Sequence, residues 1–184
     1  MQLKIQEDNF KNMMKVQLLT LVFVVFGASA HSLASLSGRT FEDPKLKLFL
    51  SLATTDWDFF EPNGDDKALK FIARAPTRDP SKPQGTLTLR IDNTENLTPR
   101  RYGEKWLKEF PKYGYEYQMA RDSQYGALKG YEIELLSPMT NRRVRQFITS
   151  QGDEMWIFTC SAQKDKFTQL VGACEKILKS ASLK

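Results

Sequence analysis

The hydrophobic pattern is most regular in the last third of the chain. Residues 143–148 have strand character, Gly152-Asp153 can turn the chain, and residues 155–160 run back beside them. Met155, Trp156, Ile157 and Phe158 are apolar on both sides of the pleat, which predicts a central strand covered on both faces. Beyond Asp165, the apolar residues Phe167, Leu170, Val171, Cys174, Ile177 and Leu178 follow the i, i+3, i+4, i+7 stripe of one helix face.

Upstream, Leu46, Leu48, Leu50 and Leu52 alternate with Lys47, Phe49 and Ser51, a strand that runs out at residues 56–60. Residues 69–74 and 86–91 form two more strands, separated by a loop carrying Pro76, Pro80 and Pro83. Thr98-Pro99 reads as a helix start, with a hydroxyl at the cap and proline at the first helical position. That helix presents Tyr102, Trp106, Leu107 and Phe110, and Pro111 is expected to stop it. Residues 115–120 and 128–136 alternate as strands. Short links between consecutive strands favour antiparallel pairing, so the class is α+β, a twisted, mainly antiparallel sheet flanked by helices.

The N-terminus sets the compartment. Lys15, the apolar run 16–27 and Ala28-Ser29-Ala30 have the form of a signal peptide over residues 1–30, cleaved after Ala30. The run falls short of the roughly 20 residues that a membrane anchor needs. Residues 1–12, with Glu7 and Asp8, make a poor basic n-region, so Met13 or Met14 is the expected start. Residues 31–40 read as a flexible lead-in and residues 41–184 as a single domain, large enough for its own core. The product is expected to be soluble, periplasmic or secreted. The full chain carries a net charge of +5. A mild basic excess favours anionic lipid headgroups or polymers, and export argues against a nucleic-acid role.

Candidate chemistry is sparse. The sole histidine is His31, at the expected first residue of the mature chain, which excludes histidine-dependent hydrolase triads and zinc-peptidase chemistry. Ser161-Ala162-Gln163-Lys164 matches the S-x-x-K pattern of serine acyl-enzymes, but the companion motifs are absent and Ser161 reads as a cap of the last helix. Asp56, Asp58, Glu61, Asn63, Asp65 and Asp66 gather oxygen ligands without the spacing of an EF-hand and read as turn chemistry. No metal or cofactor is expected.

Two surface clusters are candidate binding residues. Arg142, Arg143 and Arg145 open a strand, and Arg100 and Arg101 stand in the first turn of a helix, where arginine is electrostatically unfavourable. Either an anion patch or a solvated face accounts for them. Tyr113, Tyr115 and Tyr117, with Trp106, concentrate aromatic surface on what reads as one strand face, suited to packing or to a groove. Glu132 and Glu134 would be the first residues to test in a histidine-independent hydrolase. Cys160 and Cys174 leave two readings open. Export invites a disulfide, whereas a helix lying straight under its own strand would hold the thiols apart.

With these elements placed, the chain resembles the PsbP-like superfamily and the related DcrB-like periplasmic proteins over most of residues 41–182. The resemblance is carried by the entry strand running into Trp57 and by the 98–110 helix ending in Trp106-Leu107-x-x-Phe110. It continues through Met155-Trp156-Ile157-Phe158-Thr159-Cys160-Ser161-Ala162, Phe167 and Ile177-Leu178-x-Ser180. Ala53-Thr54-Thr55-Asp56 precedes Trp57 where the family commonly has a proline. The resemblance implies an α-β-α sandwich and a non-catalytic accessory role at membranes or in assemblies; it transfers no ligand set. The expectation is therefore an exported binding protein, taken as a monomer, whose partner is a protein or cell-envelope component. The alternatives are a carrier of a lipid or small apolar ligand and the hydrolase.

Overall fold

The structure, a computed structural model, describes residues 35–37, 39–62, 66–79, 84–93 and 96–184, all within the unit Ser32–Lys184. The expected signal peptide lies outside the described residues. In chain order the elements are β1 (Ser35–Ser37), β2 (Thr40–Asp43), β3 (Leu48–Ser51), β4 (Asp58–Phe60), β5 (Leu69–Arg74) and β6 (Gly85–Asn93). Helix α1 (Pro99–Glu109) and a 3-10 turn (Phe110–Tyr113) follow, then β7 (Glu116–Tyr125), β8 (Leu128–Ser137), β9 (Arg142–Gln151) and β10 (Glu154–Gln163). Helix α2 (Phe167–Lys179) and β11 (Ser182–Leu183) close the chain.

Seven strands form one sheet in the order β4-β5-β6-β10-β9-β8-β7, with every neighbouring pair antiparallel. β10 lies inside it, Phe158 opposite Leu89 on one side and Phe147 on the other. Met155, Trp156, Ile157 and Phe158 are all buried, because both faces of this strand are roofed. On one face Trp156, Phe158, Cys160, Phe147, Leu87, Leu89 and Phe71 pack under α2 and the small sheet β1-β2-β3-β11. On the other, Tyr131, Ile133, Leu135, Ile148, Met155 and Ile157 pack under α1. The fold is α+β, as the pattern implied.

The helices follow their local sequence. The Thr98 hydroxyl accepts from the Arg101 N–H at 3.3 Å and Pro99 occupies the first turn of α1, so cap and start coincide with the expected residues. The α-helix ends at Glu109 with Phe110 as its cap, directly ahead of Pro111 as expected. Pro111 lies near the start of the 3-10 turn, where its missing N–H costs no bond, and Gly114 ends the turn in a left-handed conformation at φ +76. Gly103 lets α1 lie close on β8, since a Cβ there would meet the Tyr131 ring at 2.7 Å. α2 buries Phe167, Val171, Cys174, Ile177 and Leu178, its expected stripe. Ser180 ties its end to the small sheet: the Ser51 N–H donates to Ser180 Oγ at 2.8 Å.

The small sheet is the main departure from the expected plan. Leu48, Leu50 and Leu52 are buried as their alternation requires. Residues expected in the lead-in nonetheless take part, Ser35–Ser37 pairing with β2, and the C-terminal Ser182–Leu183 pairs with β3. Arg39 anchors this region by donating to the carbonyls of Leu52, at 2.7 Å, and Thr55. Short strands of this kind are stabilised by partners distant in sequence and leave little periodicity to read.

Candidate binding groove and a buried charge network

On α1, Tyr102, Trp106 and Phe110 recur every four residues and form one aromatic stripe, with ring centroids 6.3 and 6.0 Å apart. Tyr102 is buried while Trp106 and Phe110 are half-buried, because the helix packs on β8 and β9 and overhangs the sheet beyond them. Beneath the overhang runs an open groove of about 190 Å³, lined by those three rings with Arg90, Asp92, Gln146 and Ile157. It widens toward Asn93 and Lys105 into a recess of about 410 Å³. The polar wall is pre-organised. The Tyr102 hydroxyl donates to Asp92 Oδ2 at 2.6 Å, Arg90 donates to Asp92 at 2.9 Å, and its other end donates to Asp66 at 2.8 Å. Burial, reinforced by the Asp92 hydrogen bond, pushes the Tyr102 phenol pKa well up, so the ring enters the groove uncharged.

The other sequence candidates separate. Tyr113, Tyr115 and Tyr117 do not share a strand face, because the helical path continues through Tyr113 before β7 begins. Tyr113 is 64% and Tyr117 58% exposed, whereas Tyr115 is half-buried with its ring 5.8 Å from Phe110. Arg100 bonds to Asp122 and lies 5.1 Å over the Tyr131 ring, which offsets its unfavourable place in the first turn. Arg101 is exposed beside it.

Arg143 and Arg145 are not a free anion patch. β9 pairs with β8 so that Arg145 stands opposite Glu134, and both carboxylates are buried on the α2 side. Arg145 donates to Glu134 Oε2 at 2.7 and 2.9 Å and reaches Glu175 of α2 at 2.7 Å, while Arg143 pairs with the other Glu134 oxygen. Both guanidinium groups also lie over the Phe167 ring, at 5.3 and 5.7 Å. Glu132 accepts from Arg121 at 2.8 Å and from the Tyr125 hydroxyl. Burial opposes the Arg145 charge, but the Glu134 bond and the Glu132 and Glu134 charges outweigh it and raise its pKa. Burial together with the Glu132 bond pushes the Tyr125 phenol up to about 12. Glu132 and Glu134 thus neutralise a structural network rather than lining an open cleft. The void beside them, between α2 and the sheet, is about 10 Å³, close to the space of one water and far from that of an acyl chain. Arg142 turns to the opposite face and donates to Ser161 Oγ at 3.0 Å and to the Ser161 carbonyl at 3.1 Å.

That contact fixes Ser161 within β10, so it does not cap α2; Lys166 holds the cap position without a side-chain bond, and Lys164 lies in the intervening loop. Cys160 and Cys174 are bridged, with Cα atoms 6.2 Å apart. The expected obstacle falls away because α2 crosses the sheet, packing on β10, β6, β7, β9 and β3 instead of lying along one strand. In the acidic stretch, Asn63, Gly64 and Asp65 lie outside the described residues, and Asp66 accepts from Arg90. Among the described residues no three metal-ligating side chains converge and no helix is long and apolar enough to cross a membrane.

This architecture is the PsbP-like fold. It is similar to cyanobacterial PsbP (CyanoP) of Synechocystis sp. PCC 6803, with a TM-score of 0.56 at 14% identity over 87% of this chain and 99% of that one. A Pseudomonas aeruginosa protein of unknown function, PA94, aligns with a TM-score of 0.53 at 13% identity over 72% of this chain and 94% of its own. The Saccharomyces cerevisiae Ran-binding protein Mog1p aligns at 0.50 and 6% identity over 81% and 96%. No family model and no curated protein matches the sequence. The shared property is the fold.

Proposed function

We propose that this chain is an exported, non-enzymatic accessory protein of the cell envelope that binds a protein or envelope component through the groove beside α1. The observation that carries the reading is the aromatic stripe Tyr102-Trp106-Phe110 held half-open over a floor of Ile157 and Gln146, with its polar wall already paired. A rimmed apolar recess with a few fixed polar groups suits recognition. The carboxylates and the serine that a hydrolase would recruit are engaged by arginines elsewhere, and the filled interface under α2 has no room for an enclosed apolar ligand. Export rests on the form of residues 1–30.

Site-directed photocrosslinking in the host tests this. A photoreactive benzoylphenylalanine at Lys105, on the groove, should give a discrete adduct, and the same group at Asp153, in the β9–β10 turn, should not. Equal labelling from both positions, or none from Lys105, would overturn the reading. Pulse-chase of the precursor should show loss of residues 1–30; retention of the full chain would remove the export part alone.

A further inference from the structure

The groove is not where the molecule exposes most apolar surface. Met139 is 87%, Tyr113 64% and Tyr117 58% exposed, and they gather at one end of the large sheet. Tyr113 closes the 3-10 turn, Met139 stands in the β8–β9 turn, and Tyr117 follows in the first residues of β7. β7 begins opposite Leu136, next to that turn. A Cβ on Gly114 would lie 3.4 Å from Met139 Sδ, so the methionine rests against the end of the 3-10 turn. Folding does not require these side chains in water, where serine or asparagine would serve a turn equally well.

Cations flank this tip. The Lys164 N–H donates to the Asn141 carbonyl at 2.9 Å, which brings the β10–α2 loop, with exposed Lys164 and Lys166, to the same end. Lys108 in the last turn of α1 and Lys112 in the 3-10 turn are exposed. Glu109 is paired with Lys112 at 2.8 Å, which leaves Lys108, Lys164 and Lys166 against Glu116 and Asp165. The tip is thus a projecting tyrosine and methionine flanked by lysines that outnumber the unpaired acidic groups.

We infer that this tip docks on the surface of an anionic lipid bilayer, with Tyr113 and Met139 entering the headgroup layer and Lys108, Lys164 and Lys166 meeting lipid phosphates. Tyrosine suits that depth because its ring is apolar and its hydroxyl polar. Methionine carries no strongly polar group to desolvate. Lysines lay their stems on apolar surface and keep their charge in the phosphate layer, and anionic lipid attracts them together. Lysine is depleted at protein interfaces, which favours lipid over a protein pocket for these lysines. Attachment is peripheral, and it is independent of the groove: failure here leaves the groove reading standing, and the reverse.

Vesicle co-sedimentation tests the inference, with wild type and variants purified from the host in parallel so that any effect of the N-terminus is common to all. Wild type should bind vesicles containing about 40 mol % phosphatidylglycerol at least tenfold more tightly than pure phosphatidylcholine, and lose most of that preference in about 0.5 M NaCl. Y113S/M139S should weaken binding to the anionic vesicles about tenfold while its thermal melt stays that of wild type. K108Q/K164Q/K166Q should remove most of the salt dependence. Equal binding to both vesicle types would overturn the proposal. So would wild-type binding by Y113S/M139S, which would show that the vesicle contact lies elsewhere on the molecule.

Discussion

The two faces of the large sheet are built on opposite terms. On the α2 side, a helix and a second sheet cover the strands, the disulfide ties helix to strand, and the buried carboxylates of Glu132 and Glu134 each meet an arginine. On the α1 side one helix packs on β8 and β9, and the surface beyond it bears half-buried Ile72, Thr86, Thr88, Thr159 and Ser161 and the 42% exposed Phe60. The first face therefore supplies most of the stability, and the second carries the open groove proposed above for recognition. A chain can vary the open face with little cost to folding, because the side chains there are not enclosed.

The comparison makes ordered demands on mutants. Largest is Glu134→Ala: it removes the buried carboxylate that Arg143 and Arg145 share, leaving Arg145 only Glu175 and the more distant Glu132, and should cost about 3 kcal/mol in urea unfolding. A loss under about 1 kcal/mol would show the network to be solvated. Trp156→Ala, emptying the 1% exposed centre of the α2-side core, should cost about as much, against about 1–2 kcal/mol for Trp106→Ala on the open side. Equal losses at the two tryptophans would erase the distinction. Reducing the Cys160–Cys174 bridge, which closes a separation of 14 residues, should cost about 3 kcal/mol on the loop-entropy account.

A smaller effect tests the same face by pH. The Tyr125 phenol is raised to about 12, so the folded state holds its proton where the unfolded chain, with a phenol pKa near 10, releases it. Stability from this group is complete below about pH 10 and is lost as pH rises toward 12. Tyr125→Phe should flatten that decline in a pH series of urea midpoints; an unchanged slope would remove Tyr125 as its source. Tyr102 moves in the same direction, so part of the slope should survive. Least of all, Tyr113→Ser should change stability by no more than about 0.5 kcal/mol.

Much of the fold is legible along the chain because its long elements repeat one signal. The leucines at 46, 48, 50 and 52, the stripe from Phe167 to Leu178 and the doubly apolar Met155 to Phe158 each state which side is buried. The three-residue strands β1 and β4 and the two-residue β11 carry too few positions to show a period. The candidate site is legible only in part. Trp106 stands out, and Tyr102 and Phe110 follow from helical spacing, but Arg90 and Asp92 come from the preceding strand β6, and Gln146 and Ile157 from strands far away in sequence.

The arginines show the division most sharply. Arg143 and Arg145 look alike in sequence to Arg100 and Arg101, yet the first pair closes a buried network and the second lies at the surface. Period 2 in β8 and β9 already places Glu132 and Glu134 on one side of their strand and Arg143 and Arg145 on one side of theirs. Local pattern thus determined the class of fold, the order of its main elements and the face each presents, because helix and strand periods are properties of neighbouring residues. Strand register decided which carboxylate meets which arginine, the crossing of α2 decided that Cys160 meets Cys174, and the overhang of α1 decided where the groove opens. Each of these is a distance between residues remote in sequence, and burial and hydrogen bonding select among such pairings only when the whole sheet is assembled.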